Sequence, residues 1–215
     1  LAHFGERSEE KMLKGIEFLK RGSGRVVLGT TLPMIRALEQ KLSEHPAVTR
    51  AVVAGSIRRM KETVGDIDIL VVSTKPDAVA DFFTGLPEVA RVIGKGETKT
   101  NVTLKNGLDA DLRIVPERSF GAALNYFTGS KDHNVTLRQI AIKKKMKLNE
   151  YGLFRGEKQV AGKTEEDLYL ALGLSYIPPE MRENTGEIEA AAKNNYFASI
   201  IPYGSLKGDL QTQTS

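Results

Sequence analysis

The sequence predicts an α/β protein of the α+β kind: a mixed β-sheet with helices on one face, followed by a smaller α+β unit. Three observations lead there. Runs of strand length, apolar throughout or alternating with polar residues, recur between Val48 and Val115. Segments of helical period that carry proline at their starts separate them. Beyond Pro116 the long strands stop, and two helices, short strands and a further helix follow.

Taken in order, Met12, Ile16 and Leu19 recur at helical spacing between Ser8 and Arg21, and the glycines from Gly22 to Gly24 end that helix. A second helix is expected from Pro33 to His45, with Ile35, Leu38 and Leu42 on one face and Pro33 in its first turn. The strand Val48 to Ala54 leads to a buried one at Asp66 to Val72. Pro76 starts a helix through Phe83, closed by Gly85 and Pro87. Three strands come next, Ala90 to Gly94, Thr98 to Leu104 and Leu108 to Val115, the last two joined by the hairpin dipeptide Asn106-Gly107. Helices are expected at Ser119 to Tyr126 and Asn134 to Lys144, flanking a Thr128-Gly129-Ser130-Lys131 turn. Short strands lie around Lys147 to Phe154 and Lys158 to Val160. A helix opens near Thr164, whose spacing to Asp167 makes a loose capping box.

The chemistry concentrates in the stretch from Gly55 to Val72, GSIRRMKETVGDIDILVV. Asp66 and Asp68 are two apart on a strand, so both carboxylates face the same way, about 7 Å apart. At an effective dielectric of about 20 they repel by roughly 2 kcal/mol, so the pair must be hydrated, protonated or neutralised by a cation. A metal ion uses both. Gly55-Ser56 leaves the preceding strand with exposed backbone N–H groups and a hydroxyl, and Arg58 and Arg59 add planar donors suited to phosphate. In LDADLRIV, the strand from Leu108 to Val115, Asp109, Asp111 and Arg113 share one face. A solvated charged face explains such a strand taken alone. If it pairs near Asp66 and Asp68, it supplies a third carboxylate and a bed for two divalent ions.

Composition narrows the ions. The chain has no cysteine and three scattered histidines, which leaves carboxylates as ligands and Mg²⁺ or Mn²⁺ as the expected metals. A net charge of +4 fits a polyanionic partner without requiring one. No apolar run approaches the roughly 18 residues of a membrane span and no signal peptide is visible, so a cytoplasmic location is expected. Leu1 is not an initiator methionine, and the chain is expected to be cut from something longer.

Several separated segments together resemble the polymerase core of the family X (polymerase β-like) DNA polymerases, especially bacterial and archaeal members. They are GSIRRMKETVGDIDILV, KGETKT, LDADLRIVP, NYFTGSKDHNVTLR, LNEYGLFRGEK and YIPPEMREN, in that order. The resemblance implies a nucleotidyltransferase-type palm over residues 25–117 and a small nucleotide-selection subdomain over 118–204. Residues 1–24 would end a DNA-binding, helix-hairpin-helix-like subdomain contacting DNA at Gly5, although an ordinary helix entry also explains them. Residues 205–215 would begin a truncated phosphoesterase (PHP-like) domain, with Gln213 where a histidine often stands.

The implied activity is addition of deoxynucleotides to a primer 3′-hydroxyl, with short-gap filling in DNA repair. Another nucleotidyltransferase, acting on RNA ends or a small acceptor, and a catalytically inactive DNA-binding module of the same fold are the alternatives. By resemblance, Asp66, Asp68 and Asp111 are the catalytic carboxylates and hold two Mg²⁺ ions, with Mn²⁺ as an alternative. Ser56, Arg59, Gly65 and Arg25 face the incoming nucleotide's phosphates. Tyr126, Phe127 and Gly129 wall its sugar, and Asn134 reads the base edge. Lys99 and Arg138 touch DNA, as primer-template or gapped duplex, and the protein is expected to act as a monomer. Arg113 is implied to hold Asp68 while no nucleotide is bound and to exchange it for Tyr151 or Glu150 on closure. A cis peptide is implied between Gly129 and Ser130. His133 and Val135 differ from better-known eukaryotic members, which alters any stacking on the nascent pair.

Overall fold

The computed structural model describes residues 24–193 together with Ser205 and Gly208. The expected first helix, Gly5 and Gln213 lie outside the described residues. The described chain opens with β1 (Val26–Val27) and α1 (Leu28–Ser43). The helix therefore starts five residues before Pro33, which lies inside it instead of in its first turn. Leu28-Gly29-Thr30-Thr31 has poor intrinsic helix propensity, so periodicity alone passes over it. Tertiary context supplies the start: the Thr30 and Thr31 hydroxyls donate to Val27 O at 2.8 and 3.1 Å, and β1 pairs with β3 (Thr63–Val64).

The larger sheet grows around one buried strand. β2 (Arg50–Val53) and the four-residue α2 (Gly55–Arg58) lead through β3 to β4 (Asp66–Val72). After α3 (Pro76–Thr84), strands β5 (Val89–Lys95), β6 (Lys99–Leu104) and β7 (Asp109–Val115) complete a five-stranded mixed sheet in the order β2-β4-β7-β6-β5. β4 and β7 are parallel, and the other neighbours are antiparallel. The Asn106-Gly107 turn forms as expected, with Gly107 at φ +88°. β5 is an edge strand with two register shifts and mostly exposed residues, irregularities that discourage pairing with another chain.

The two faces of the sheet differ. Ile67, Ile69 and Val71 of β4 and Ala110, Leu112 and Ile114 of β7 point to one side, where Ile35, Leu38 and Leu42 of α1 and Val79 and Phe83 of α3 cover them. The other side carries the aspartates at one end. At the other end Leu70, Val72 and Val115 pack under Phe120, Ala123 and Leu124 of α4 (Phe120–Thr128).

From α4 onward a second core forms. It contains α5 (Lys131–Lys143), the antiparallel β8 (Lys147–Asn149), β9 (Gly152–Arg155) and β10 (Lys158–Ala161), then α6 (Glu165–Ala171) and α7 (Glu187–Ala191). Leu137, Leu148, Leu153, Leu168, Tyr169 and Ile177 are its centre. Thr164 caps α6 by accepting from Asp167 N at 3.1 Å. The Asp167 carboxylate does not return that bond. It accepts instead from Gly162 N and Lys163 N at 3.0 and 3.2 Å, tying β10 to the helix start.

α4 touches this cap at Gly121, whose N–H donates to Lys163 O. A β-carbon there would lie 2.1 to 2.4 Å from three backbone atoms of Thr164. Backbone on both sides leaves no flexible atom to yield, so Gly121→Ala is expected to lose about 2 to 3 kcal/mol of stability, read as a lowered denaturation midpoint with unchanged m. A midpoint equal to wild type would refute the close packing of α4 on the α6 cap. Among the described residues no helix is long and apolar enough to cross a membrane.

Candidate active site

In the parallel register of β4 and β7, Asp66 lies opposite Asp109 and Asp68 opposite Asp111. Residues paired in this way point to the same face, so Asp111 stands on the side of Asp66 and Asp68. Crowding shows in the protonation of Asp66 and Asp68. Burial first, then the charges of Asp66 and Asp111, push the Asp68 carboxyl up to about 7 against the pull of Arg113 and Lys99. Asp66 moves the same way through desolvation and then Asp111, with Arg25 opposing. Gly55 is what lets Asp68 sit here. It adopts φ +61°, and a β-carbon on it would lie 2.3 Å from Asp68 Oδ2.

The carboxylates share a face without converging. Among the described residues no group of three or more His, Asp or Glu side chains is drawn together closely enough to hold a metal ion. Asp111 has partners on the neighbouring strand: its Oδ1 accepts from the Asn101 amide and its Oδ2 is 3.1 Å from Lys99 Nζ. Asn101 stands directly across from Asp111 on β6. The Lys99 ammonium thus takes a cation's place at the third carboxylate. By donor chemistry the set fits a hard divalent ion: three carboxylates on one face, short of positive charge, with a lysine as the stand-in. Asp109 turns aside to accept from Thr103 Oγ1 at 2.8 Å.

Beside Asp66 and Asp68 opens a cleft of about 400 Å³. Arg25, Ser56, Arg59, Tyr126, Phe127, Gly129, Asn134 and Arg138 all line it, so residues drawn from four separated segments meet in one place. The Arg25 guanidinium also donates to Thr63 Oγ1 at 3.0 Å. Tyr126 and Phe127 meet edge to face with ring centroids 5.1 Å apart. Asn134 Nδ2 donates to Tyr126 O at 2.7 Å, while its Oδ1 is buried without a hydrogen-bond partner among the described residues. A buried acceptor left unpaired marks a polar position open to a ligand. The Gly129-Ser130 peptide is cis, and Ser130 Oγ caps α5 by accepting from His133 N.

Several expected residues sit elsewhere. Arg58, read from sequence as a phosphate donor beside Arg59, turns away from the cleft. It donates to both Glu165 oxygens at 2.9 and 2.7 Å and to Thr128 Oγ1 at 2.8 Å. Successive residues of a helical turn diverge by about 100°, so both arginines could not face one ligand. Arg113 does not bond Asp68. Its guanidinium lies 5.0 Å from the centre of the Phe127 ring, and among the described residues it has no ion pair with Asp68 or Glu150 and no hydrogen bond with Tyr151, which is largely exposed in the β8–β9 turn. Gly65 is outside the cleft lining and packs near the Arg25 guanidinium. Lys99 is occupied by Asp111. His133 is fully buried, its Nδ1 2.7 Å from Glu187 Oε1 and its Nε2 2.9 Å from the Tyr169 hydroxyl, so it faces the second core and no base pair. Burial lowers its pKa against the pull of Glu187.

Sequence reasoning missed Thr128 and Lys131, which also line the cleft, and Asn101. It also missed Glu165 and Arg182, the buried pair behind Arg58. Thr128 and Lys131 flank a recognisable turn. Nothing in the local sequence distinguishes Asn101, Glu165 or Arg182, because their importance comes from partners far along the chain.

Comparison with known proteins agrees with this geometry. Residues 123–183 match the family described as DNA polymerase beta thumb. The whole chain is 35% identical over 222 residues to the DNA polymerase/3'-5' exonuclease PolX of Bacillus subtilis (strain 168), and 61% of it is 32% identical over 164 residues to DNA polymerase lambda of Rattus norvegicus. The fold is similar to that in a crystal structure of Leishmania infantum polymerase beta in a ternary P/T complex, with TM-score 0.69 at 22% identity, covering 85% of this chain and 84% of that one. The chain spans 38% of the length of the Bacillus protein and 28% of the rat protein. Sheet, cleft and second core together make a mixed α+β fold similar to that of polymerase beta, with the thumb match falling on the second core. The relatives that the chain matches within that class are DNA polymerases of family X.

Proposed function

We propose that the chain is the polymerase core of a repair-type DNA-directed DNA polymerase that adds deoxynucleotides to a primer 3′-hydroxyl in short gaps and releases pyrophosphate. The observation that carries this reading is the in-register pairing of Asp68 with Asp111 beside a cleft lined by Ser56 and Arg59. Asp66, Asp68 and Asp111 would hold two Mg²⁺ or Mn²⁺ ions. When bound, these would supply Lewis-acid activation of the 3′-hydroxyl and neutralise charge on the triphosphate.

The chain's own residues align the reactants and stabilise charge. Ser56, Arg59 and Arg25 donate to the nucleotide's phosphates. Tyr126, Phe127 and Gly129 close the space beside the sugar, where a 2′-hydroxyl would sit. Asn134 meets the base edge with a polar atom that has no partner among the described residues. Arg138 contacts the template strand, and Lys99, freed from Asp111, contacts DNA. Residues 25–117 serve as palm and 118–204 as the nucleotide-selection subdomain.

The test is nucleotide incorporation on gapped DNA, compared with single-stranded DNA and with RNA ends. Extension is expected on gapped DNA, to vanish when divalent ions are chelated, and to return with added Mg²⁺ or Mn²⁺. Incorporation confined to RNA ends, or unaffected by chelation, would refute the reading.

A further inference from the structure

We propose that Glu183 is a positioning residue for nucleotide binding: it holds Arg59 from outside the cleft and aims its free N–H groups inward, setting triphosphate affinity without taking part in transfer. The inference rests on the polymerase reading and deepens it.

Arg59 follows directly on α2 and ends in a planar fork of donors. Its Nε donates to Glu183 Oε1 at 2.8 Å and its Nη1 to Thr128 O, so residues 124 and 69 positions away grip the guanidinium on two edges. Nη2 makes no hydrogen bond among the described residues and remains for an anion. Arg59 lines the cleft, whereas Glu183 lines a separate hollow with Glu180, Met181 and Thr185. A phosphate in the cleft and the Glu183 carboxylate therefore take different hydrogens of one guanidinium, and do not contend for the same space.

The charge balance is compatible with anion binding. Lys61 Nζ lies 3.4 Å from the same Glu183 oxygen, so one carboxylate is shared by two cations and the triplet stays net positive. Against the desolvation of burial, the bond from Arg59 and the charges of Arg59 and Lys61 hold the Glu183 carboxyl below its ordinary range, and it is ionised at neutral pH. An arginine already held in its binding pose loses less rotamer freedom when phosphate arrives. Gly129 supports the same pose, since a β-carbon on it would lie 3.1 Å from Arg59 Nη1.

Equilibrium binding of a fluorescent deoxynucleoside triphosphate to the full chain, with steady-state extension on gapped DNA alongside, tests the proposal. Glu183→Ala is expected to weaken binding and raise KM roughly tenfold while kcat stays within about twofold. Glu183→Gln, which keeps an oxygen at the same reach, recovers most of that loss. Glu183→Asp keeps the charge but draws it back by one methylene, and behaves like Glu183→Ala. The aspartate variant also carries the test should the alanine variant not fold. Unchanged or tighter binding in both Glu183→Ala and Glu183→Asp would overturn the proposal, making the carboxylate a bystander or a competitor of the phosphate. So would a loss confined to kcat. Wild-type protein that binds the triphosphate but extends no primer refutes the polymerase reading instead, and leaves the effect of Glu183 on binding measurable.

Discussion

Glu165→Ala is expected to remove about 3 to 5 kcal/mol of stability, enough to unfold a domain of ordinary stability at physiological temperature. Glu165 is 4% exposed and is shared by two arginines. Arg58 reaches it from the end of α2 with two bonds, and the fully buried Arg182 reaches it from the loop after α6, with Nη1 2.5 Å from Oε1. Arg182 has little else. Its Nε donates to Ile177 O at 2.9 Å, its Nη1 also reaches Asn125 Oδ1 at 3.5 Å, its Nη2 is buried without a partner among the described residues, and the rings of Tyr169 and Tyr176 lie 5.3 and 5.4 Å away. Removing the carboxylate leaves a buried cation uncompensated, which costs far more than the pair contributes.

The pH dependence follows with a definite sign. Burial opposes ionisation of Glu165, but the bond from Arg58 and the charge of Arg182 outweigh it and hold the carboxyl below its ordinary value of 4.5. A folded-state pKa below the unfolded one means that this contribution is fully present above pH 4.5 and is lost as the pH falls through the lowered value. Thermal denaturation across pH 3 to 7 should show wild type losing stability on the acid side, with a flatter profile for Glu165→Ala; these limits span roughly the carboxylate range. A variant that melts with wild type would mean that the two cores are joined by something other than this pair.

Asp111→Ala is expected to abolish primer extension, by about a thousandfold or more, while leaving the fold intact. Asp111 is half-buried at the open end of the sheet and contributes nothing to the apolar core, so its removal should hardly shift the melting temperature. It removes one of three carboxylates from a face that is short of cations. It also frees Lys99 and Asn101, and a freed ammonium next to Asp68 further disfavours a divalent ion there. Mn²⁺ binding measured by electron paramagnetic resonance should weaken in parallel. Full extension by a folded Asp111→Ala protein would end the two-ion reading of this face.

How much of this was legible beforehand depended on the range of the interaction. Strand and helix identities came out within a few residues wherever period and punctuation agreed, as in Asp66 to Val72 and Pro76 to Thr84. The start of α1 did not, because threonine side chains and a two-residue β-pairing override weak propensity there. Alternation also determined that Asp66 and Asp68 share one face of their strand and that Asp109, Asp111 and Arg113 share one face of theirs.

What the sequence by itself determined is the set of local directions: which carboxylates point together, where the glycine before Ser56 bends the chain, and which turn precedes α5. Only the tertiary structure decided that Asp111 stands opposite Asp68, that Arg58 serves the joint between the cores while Arg59 serves the cleft, and that Lys99 sits on a carboxylate. The physical reason is that side-chain alternation follows from each residue's own backbone. Register and ion pairing are set by chain segments tens of residues away, whose approach no local pattern encodes.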